Sequence, residues 1–377
     1  ILHVATFIGN IGDNASHLGF ERILEDNIGI GHQIDRLEIR KTYSVYTLDD
    51  KWSFDNDFAQ TANGYDLLLI GGGHFLDFWV ENSHTGTTLD ISDEVLAALK
   101  VPMFIVSMGS MHRTDVPASN IIKFRKFLDK LMERPRTEIA IRNDGSHGVL
   151  RKDIGEVYAN RYPEVLDSGY FYRNEGVSYR PIIGEYVVIN STVDQLAMKS
   201  YEVGKISPDT YIEEMAKVVM FFINETKLDI VFAPHIYQDY KAFDDIIKKI
   251  NSFYLRNRIT IAPCTQGDWG CDQIFSAYAN ASLVVGMRFH SNVCSLSLNK
   301  LSYGIAATDR IVNAYNYVGL HDRYVTVDKA FSAELIEKIK YGLSNKEELL
   351  SIGESKVIQK RRETEQTYFE LFSNLKL

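Results

Sequence analysis

The sequence predicts an α/β protein made of two Rossmann-like arrays, and three observations predict it. The chain has 377 residues, beyond the ~250–300 at which a single hydrophobic core stops growing, so two domains are expected. Short apolar runs of strand length alternate with stretches of helical periodicity, the pattern of parallel sheets with crossover helices. Glycines and polar side chains follow the apolar runs, at the strand ends where open parallel sheets bind ligands.

The runs His3 to Ile8, Leu67 to Ile70, Met103 to Val106 and Ile139 to Ile141 form the first array. The second takes Tyr186 to Ile189, Asp229 to Ala233, Ile259 to Ile261 and Leu283 to Val285, with helical periodicity over Pro208 to Glu225 and Tyr240 to Phe253. Between the arrays, Asn174-Glu175-Gly176 and Arg180-Pro181 interrupt the periodicity. The expected limits are therefore 1–175 for the N-terminal domain, 176–331 for the C-terminal domain and 332–377 for closing helices. Gly29-Ile30-Gly31 follows a helical stretch and reads as a helix stop rather than a dinucleotide fingerprint. Lys360-Arg361-Arg362 reads as a solvated helix face.

Composition excludes several functions. A formal net charge of -9 argues against nonspecific nucleic-acid binding, which needs a basic face. No apolar stretch approaches the ~20 residues of a membrane span. The opening Ile1-Leu2-His3-Val4-Ala5-Thr6-Phe7-Ile8 lacks a basic start and a small-residue cleavage site, so it reads as a strand and not a signal peptide. The cysteines Cys264, Cys271 and Cys294 show no C-x-x-C spacing and fit a reducing cytoplasm. Neither H-E-x-x-H nor a calcium-loop pattern occurs, so no metal site is expected.

The strand exits carry the candidate site. Gly9-Asn10-Ile11-Gly12-Asp13-Asn14 follows the first run, and backbone N–H groups at such a helix start can hold an anion or a ribose hydroxyl; Asp13 or Asn14 would otherwise serve only as a cap. Gly71-Gly72-Gly73-His74 follows the second and would let a ligand approach the backbone closely, its N–H groups forming an anion nest. Ser107-Met108-Gly109-Ser110 comes next, then Arg142-Asn143-Asp144-Gly145-Ser146, whose Arg142 points either to a ligand or to a structural Asp. In the second half, His235 stands at a strand exit with Asp239 following. Gly286-Met287-Arg288-Phe289-His290 then places a fixed cation and a titratable imidazole two residues apart, a pairing suited to an anionic substrate. Phe75, Phe78, Trp79 and Trp269, in the loops 75–88 and 266–273, are candidates to stack on a sugar.

Taken together, Gly9-Asn10-Ile11-Gly12-Asp13, Ile70-Gly71-Gly72-Gly73, Arg142-Asn143-Asp144-Gly145-Ser146 and Gly286-Met287-Arg288-Phe289-His290 resemble the polysaccharide pyruvyl transferase family, in order and spacing, along nearly the whole chain. Ser295-Leu296-Ser297-Leu298 and Tyr303-Gly304-Ile305 resemble the helix and strand that follow the last motif. The resemblance implies two Rossmann-like domains facing a cleft, as in B-type glycosyltransferases, with the N-terminal domain on the acceptor side and the C-terminal one on the donor side. It also implies transfer of pyruvate from phosphoenolpyruvate onto a sugar as a ketal, in cell-surface or exopolysaccharide biosynthesis.

By the same resemblance Arg288 and His290 bind the donor and act in catalysis. Asp309-Arg310 falls where the family has Asp followed by Lys. Members often carry an Arg soon after the first strand of the second domain, where this chain has Asn190-Ser191-Thr192, so that part of the anion clamp is either missing or supplied by Arg142 or Arg310. His290 is expected to be the general acid and His235 or Asp13 the base, with Asn10, Gly12, Gly71, Gly72, Gly73, His74, Arg142 and Arg310 binding substrate. No cofactor is implied beyond phosphoenolpyruvate as donor. The partners implied are a sugar acceptor, nucleotide- or lipid-linked, and peripheral association with polysaccharide assembly machinery, in the cytoplasm or at the inner face of the membrane. Two alternatives keep the fold: a nucleotide-sugar glycosyltransferase, and a glycan-binding module without catalysis.

Overall fold

Apolar runs too short for helices pair side by side into two all-parallel sheets of six strands each. The computed structural model describes residues 1–113, 115–175, 178–198 and 206–377. Gly176, within the expected boundary, lies outside the described residues. The chain divides into two units, the first of Ile1–Phe7, Glu21–Asp167 and Arg362–Leu377, the second of Ile8–Phe20 and Ser168–Arg361.

The strands of the first unit are β1 (Leu2–Ala5), β2 (Asp35–Glu38), β3 (Leu68–Gly71), β4 (Met103–Met108), β5 (Thr137–Arg142) and β6 (Glu164–Val165), in the order β2-β1-β3-β4-β5-β6. The central strands β3, β4 and β5 are buried throughout, as a sheet covered on both faces requires. The edge strand β2, Asp-Arg-Leu-Glu, is half exposed, and its polarity hides it from a search for apolar runs. The helices that begin within residues 1–175 are α1 (Ile11–Ile28), α2 (Asn56–Ala62), α3 (Asp93–Ala98), α4 (Ala118–Glu133), α5 (Ser146–Val149) and α6 (Glu156–Arg161). Helix α1 stops where expected, the Gly29 N–H bonding the Glu25 carbonyl at 3.0 Å.

The second unit orders its strands β12-β11-β10-β7-β8-β9: β7 (Tyr186–Asn190), β8 (Asp229–Phe232), β9 (Ile259–Ile261), β10 (Leu283–Gly286), β11 (Ser302–Ala306) and β12 (Tyr324–Thr326). Its helices are α7 (Pro208–Glu225), α8 (Asp239–Ile247), α9 (Ser252–Arg258), α10 (Gly267–Ala279), α11 (Phe289–Ser297), α12 (Asp309–Tyr317) and α13 (Ser332–Ser344), while α14 (Lys346–Leu375) begins here and ends among the first unit's residues. The single helix expected over Tyr240 to Phe253 is two, because the Asn251 side chain accepts the Phe253 N–H at 2.9 Å and starts a new one.

Two differences from the sequence reading bear on the site. Ile8–Phe20 group with the second unit and not with 1–175: Ile11 and Ala15 sit in one buried cluster with Tyr186, Val188, Val231 and Val284. Arg361 is not a solvated cation either. Its guanidinium donates to the Tyr170 carbonyl at 2.6 Å and to Ser297 Oγ at 2.8 Å. No helix among the described residues is long and apolar enough to cross a membrane.

Candidate active site

In the second unit, β10 ends at Gly286, Arg288 caps α11, and His290 is that helix's second residue. His290 is buried against the start of α1. A Cβ at Gly12 would lie 2.6 Å from His290 Nδ1, so only glycine admits the imidazole there. Asp13 Oδ1 stands 4.0 Å from the same nitrogen. Asn10 holds this turn, accepting the Gly12 N–H at 3.1 Å and donating to Asp13 Oδ1 at 3.1 Å. The structure thus brings Asn10, Gly12, Asp13 and His290 together. The N–H groups of Ile11, Gly12 and Asp13 are taken by the His235 carbonyl, Asn10 Oδ1 and the Asn10 carbonyl, so the helix start is closed internally and offers no anion cradle.

Arg288 is largely buried and already matched. Its Nε reaches Asp239 Oδ1 and Oδ2 at 2.8 and 3.0 Å, and its Nη2 reaches Asp239 Oδ1 at 2.5 Å and Asp194 Oδ2 at 2.8 Å. Burial opposes the charge, but Asp239 and then Asp194 outweigh it and hold the guanidinium above its ordinary pKa. Asn190, standing where the family's Arg was expected, accepts the Arg288 N–H at 3.0 Å. Nη1 makes no hydrogen bond among the described residues. Arg310, in the first turn of α12, lies with its guanidinium carbon 5.0 Å from the centre of the Phe289 ring, beside His290.

His235 departs from the role of base expected for it. It is fully buried, with Nε2 3.0 Å from the Tyr278 hydroxyl, which in turn donates to Ser291 Oγ at 3.2 Å. Burial, then the charges of Arg288 and His290, push its pKa well below the usual value. A neutral imidazole sealed from solvent is a packing group, not the base for a sugar hydroxyl.

In the first unit, Gly71, Gly72, Gly73, His74 and Arg142 also meet other partners than those expected. Gly71 adopts φ +154°, and a Cβ there would lie 2.1 Å from the Val106 carbonyl oxygen. The Gly72 N–H donates to that carbonyl at 3.1 Å, and the Gly73 carbonyl accepts from Gly109 at 2.9 Å. The triple glycine thus fits β3 against the end of β4, and its Gly72 N–H is already used there. Of the two readings of Arg142, the structure selects the structural one: Nε and Nη2 bond Asp144 Oδ2 at 2.9 and 2.7 Å, and Nη1 bonds Asp167 at 3.2 Å, all fully buried. His74 lies between Asp77, 3.2 Å from Nδ1, and Asp144, 2.9 Å from Nε2. Asp77 was not singled out, although its place three residues after His74 was a signal; Asp144 stood in its own motif, but seventy positions from His74 nothing signalled that the two would pair. Phe75 and Phe78 are core residues, whereas Trp79 is 40% and Trp269 61% exposed. Among the described residues no group of three or more His, Cys, Asp or Glu side chains is placed to hold a metal ion.

The family model for polysaccharide pyruvyl transferase matches residues 10–308, a span that holds the glycine-, Arg- and His-bearing motifs above apart from Gly9 and stops just before Asp309-Arg310. No curated relative matches the chain. Among solved structures, the chain resembles a glycosyltransferase from Rickettsia africae ESF-5 with a TM-score of 0.56 at 10% identity, covering 98% of this chain and 97% of that one. It also resembles the UDP-GlcNAc 2-epimerase of Methanocaldococcus jannaschii, with a TM-score of 0.51 at 12% identity over 90% and 91% of the two chains. At such identities the likeness concerns the fold, two Rossmann-like domains of the glycosyltransferase B type.

Proposed function

Since the chain belongs to the polysaccharide pyruvyl transferase family, we propose that it moves pyruvate from phosphoenolpyruvate onto a sugar as a ketal during synthesis of a surface or secreted polysaccharide. The observation that carries this reading is His290, set at a strand exit by the missing side chain of Gly12 and faced by the Asp13 carboxylate. Such a carboxylate fixes the orientation of an imidazole that moves a proton.

In this reading His290 delivers a proton to the methylene carbon while one sugar hydroxyl bonds to the adjacent carbon and passes its own proton to Asp13. A second hydroxyl of the same sugar then replaces phosphate at that carbon, its proton leaving with the phosphate, and closes the ketal. Asp239 holds one edge of Arg288 permanently. Asp194, 38% exposed, is the partner that a donor carboxylate or phosphate displaces from Nη2, with Nη1 beside it. Arg310 supplies the second cation.

The test is release of phosphate from phosphoenolpyruvate in the presence of sugar acceptors. His290→Ala should lower turnover at least ~100-fold, the usual contribution of a general acid. Near-parental turnover with a raised Michaelis constant would remove His290 from proton transfer.

A further inference from the structure

The first unit holds a second arrangement that the donor chemistry does not use. Trp79 follows the exit of β3 and keeps two-fifths of its surface exposed. It is nonetheless fixed. The Asn120 amide, itself buried, donates to the carbonyls on either side, Phe78 at 3.2 Å and Val80 at 3.1 Å. The Arg113 guanidinium lies over the indole, 4.3 Å from its centre, and is locked by two 2.8 Å bonds to Asp115. Loops that merely connect strands do not need an exposed indole braced from two directions.

Asp77, two residues earlier, completes the arrangement. Its Oδ1 accepts the Met111 N–H at 2.7 Å and faces His74 Nδ1 at 3.2 Å. Its Oδ2 makes no hydrogen bond among the described residues, and the side chain is 12% exposed. Arg113 joins the two groups: it rests on Trp79 and feels the charge of Asp77. An aromatic plate two residues along the chain from a fixed carboxylate oxygen matches one ligand class well. A pyranose offers an apolar face of C–H groups for the ring and hydroxyl donors at its rim for the oxygen.

We infer that Trp79 and Asp77 form a saccharide subsite, with the sugar ring laid on the indole face opposite Arg113 and a hydroxyl donating to Asp77 Oδ2. The inference rests on the pyruvyl-transfer reading only in taking that sugar to be the acceptor.

The experiment titrates the full chain with the methyl glycosides of glucose, galactose, mannose and N-acetylglucosamine, each followed by tryptophan fluorescence in the parent and by saturation-transfer NMR of the glycoside in parent and variants, which needs no tryptophan in the subsite. At least one should quench the parent, saturating in about the millimolar range expected of one ring and few contacts. Trp79→Leu, which keeps apolar bulk without a ring, and Asp77→Asn, which keeps the Oδ1 acceptor, should each weaken it about tenfold or more, the loss of one stacking or charged hydrogen-bonding contact. Their melting temperatures should stay at the parent's.

No quenching by any glycoside, parental affinity in both variants, or quenching by adenosine and not by glycosides would each overturn the subsite. Glycoside binding without any phosphate release from phosphoenolpyruvate would leave the subsite standing and remove pyruvyl transfer. Phosphate release with an unchanged acceptor Michaelis constant in both variants would do the reverse.

Discussion

Gly12→Ala is the most direct probe of how His290 is held. The added methyl would lie 2.6 Å from Nδ1, 2.7 Å from Cβ and 2.9 Å from Cγ of His290, and no other residue is among its three nearest contacts. These separations are about 1 Å short of the ~3.5 Å at which such atoms attract, so the imidazole must retreat by about that distance. Two consequences follow with different sizes. For stability, the ~1–3 kcal/mol of overpacking is partly offset by the ~0.5–1 kcal/mol that alanine gains over glycine within a helix, leaving a small loss. For turnover, a displacement of ~1 Å at a reacting group costs about 100-fold. The assay is phosphate release from phosphoenolpyruvate alongside a thermal melt. Gly353→Ala is the control, since an added Cβ there meets nothing within 4 Å inside α14. A Gly12→Ala protein that melts like the parent and turns over at the parent's rate would refute the placement of His290 against α1.

Asp239→Ala should destabilise the second unit by about 3–5 kcal/mol in urea unfolding, because it removes the fully buried carboxylate that neutralises Arg288; a loss under ~1 kcal/mol would show that Asp194 alone suffices. His235 is buried neutral, its folded-state pKa lying well below the unfolded value, so the unfolded chain binds the extra proton. Stability should therefore be flat with respect to this group above about pH 6.5 and fall below it by up to ~1.4 kcal/mol per pH unit. His235→Gln should flatten that slope, and an unchanged slope would assign it to other groups.

How much of this was legible depends on sequence distance and on polarity. The buried strands announced themselves because both faces are apolar, as in Leu68-Leu69-Ile70 and Val187-Val188-Ile189. Edge strands such as β2 and β12 did not, since half-exposed residues need not be hydrophobic. The motifs around His290 and around Gly12 and Asp13 were both visible, but their contact was not: the two lie far apart in the chain and meet only through the fold. Arg288 and Arg142 illustrate the harder limit. An Arg at a strand exit looks the same in sequence whether it awaits a ligand or is matched by carboxylates, and Asp239, Asp194, Asp144 and Asp167 settle that only in three dimensions.

The last turns of α14 have a consequence for biosynthesis. Tyr368 and Phe372 pack edge-on against Phe104 of β4, with ring centres 6.0 and 5.1 Å away, and Arg136 donates to the Leu375 carbonyl at 2.9 Å. The first unit therefore cannot finish its core when its own strands leave the ribosome. Its middle strand waits, with an aromatic face uncovered, until some two hundred further residues have been made. Translation and folding then run in opposite order here, the second unit having all its strands before the first has its final helix.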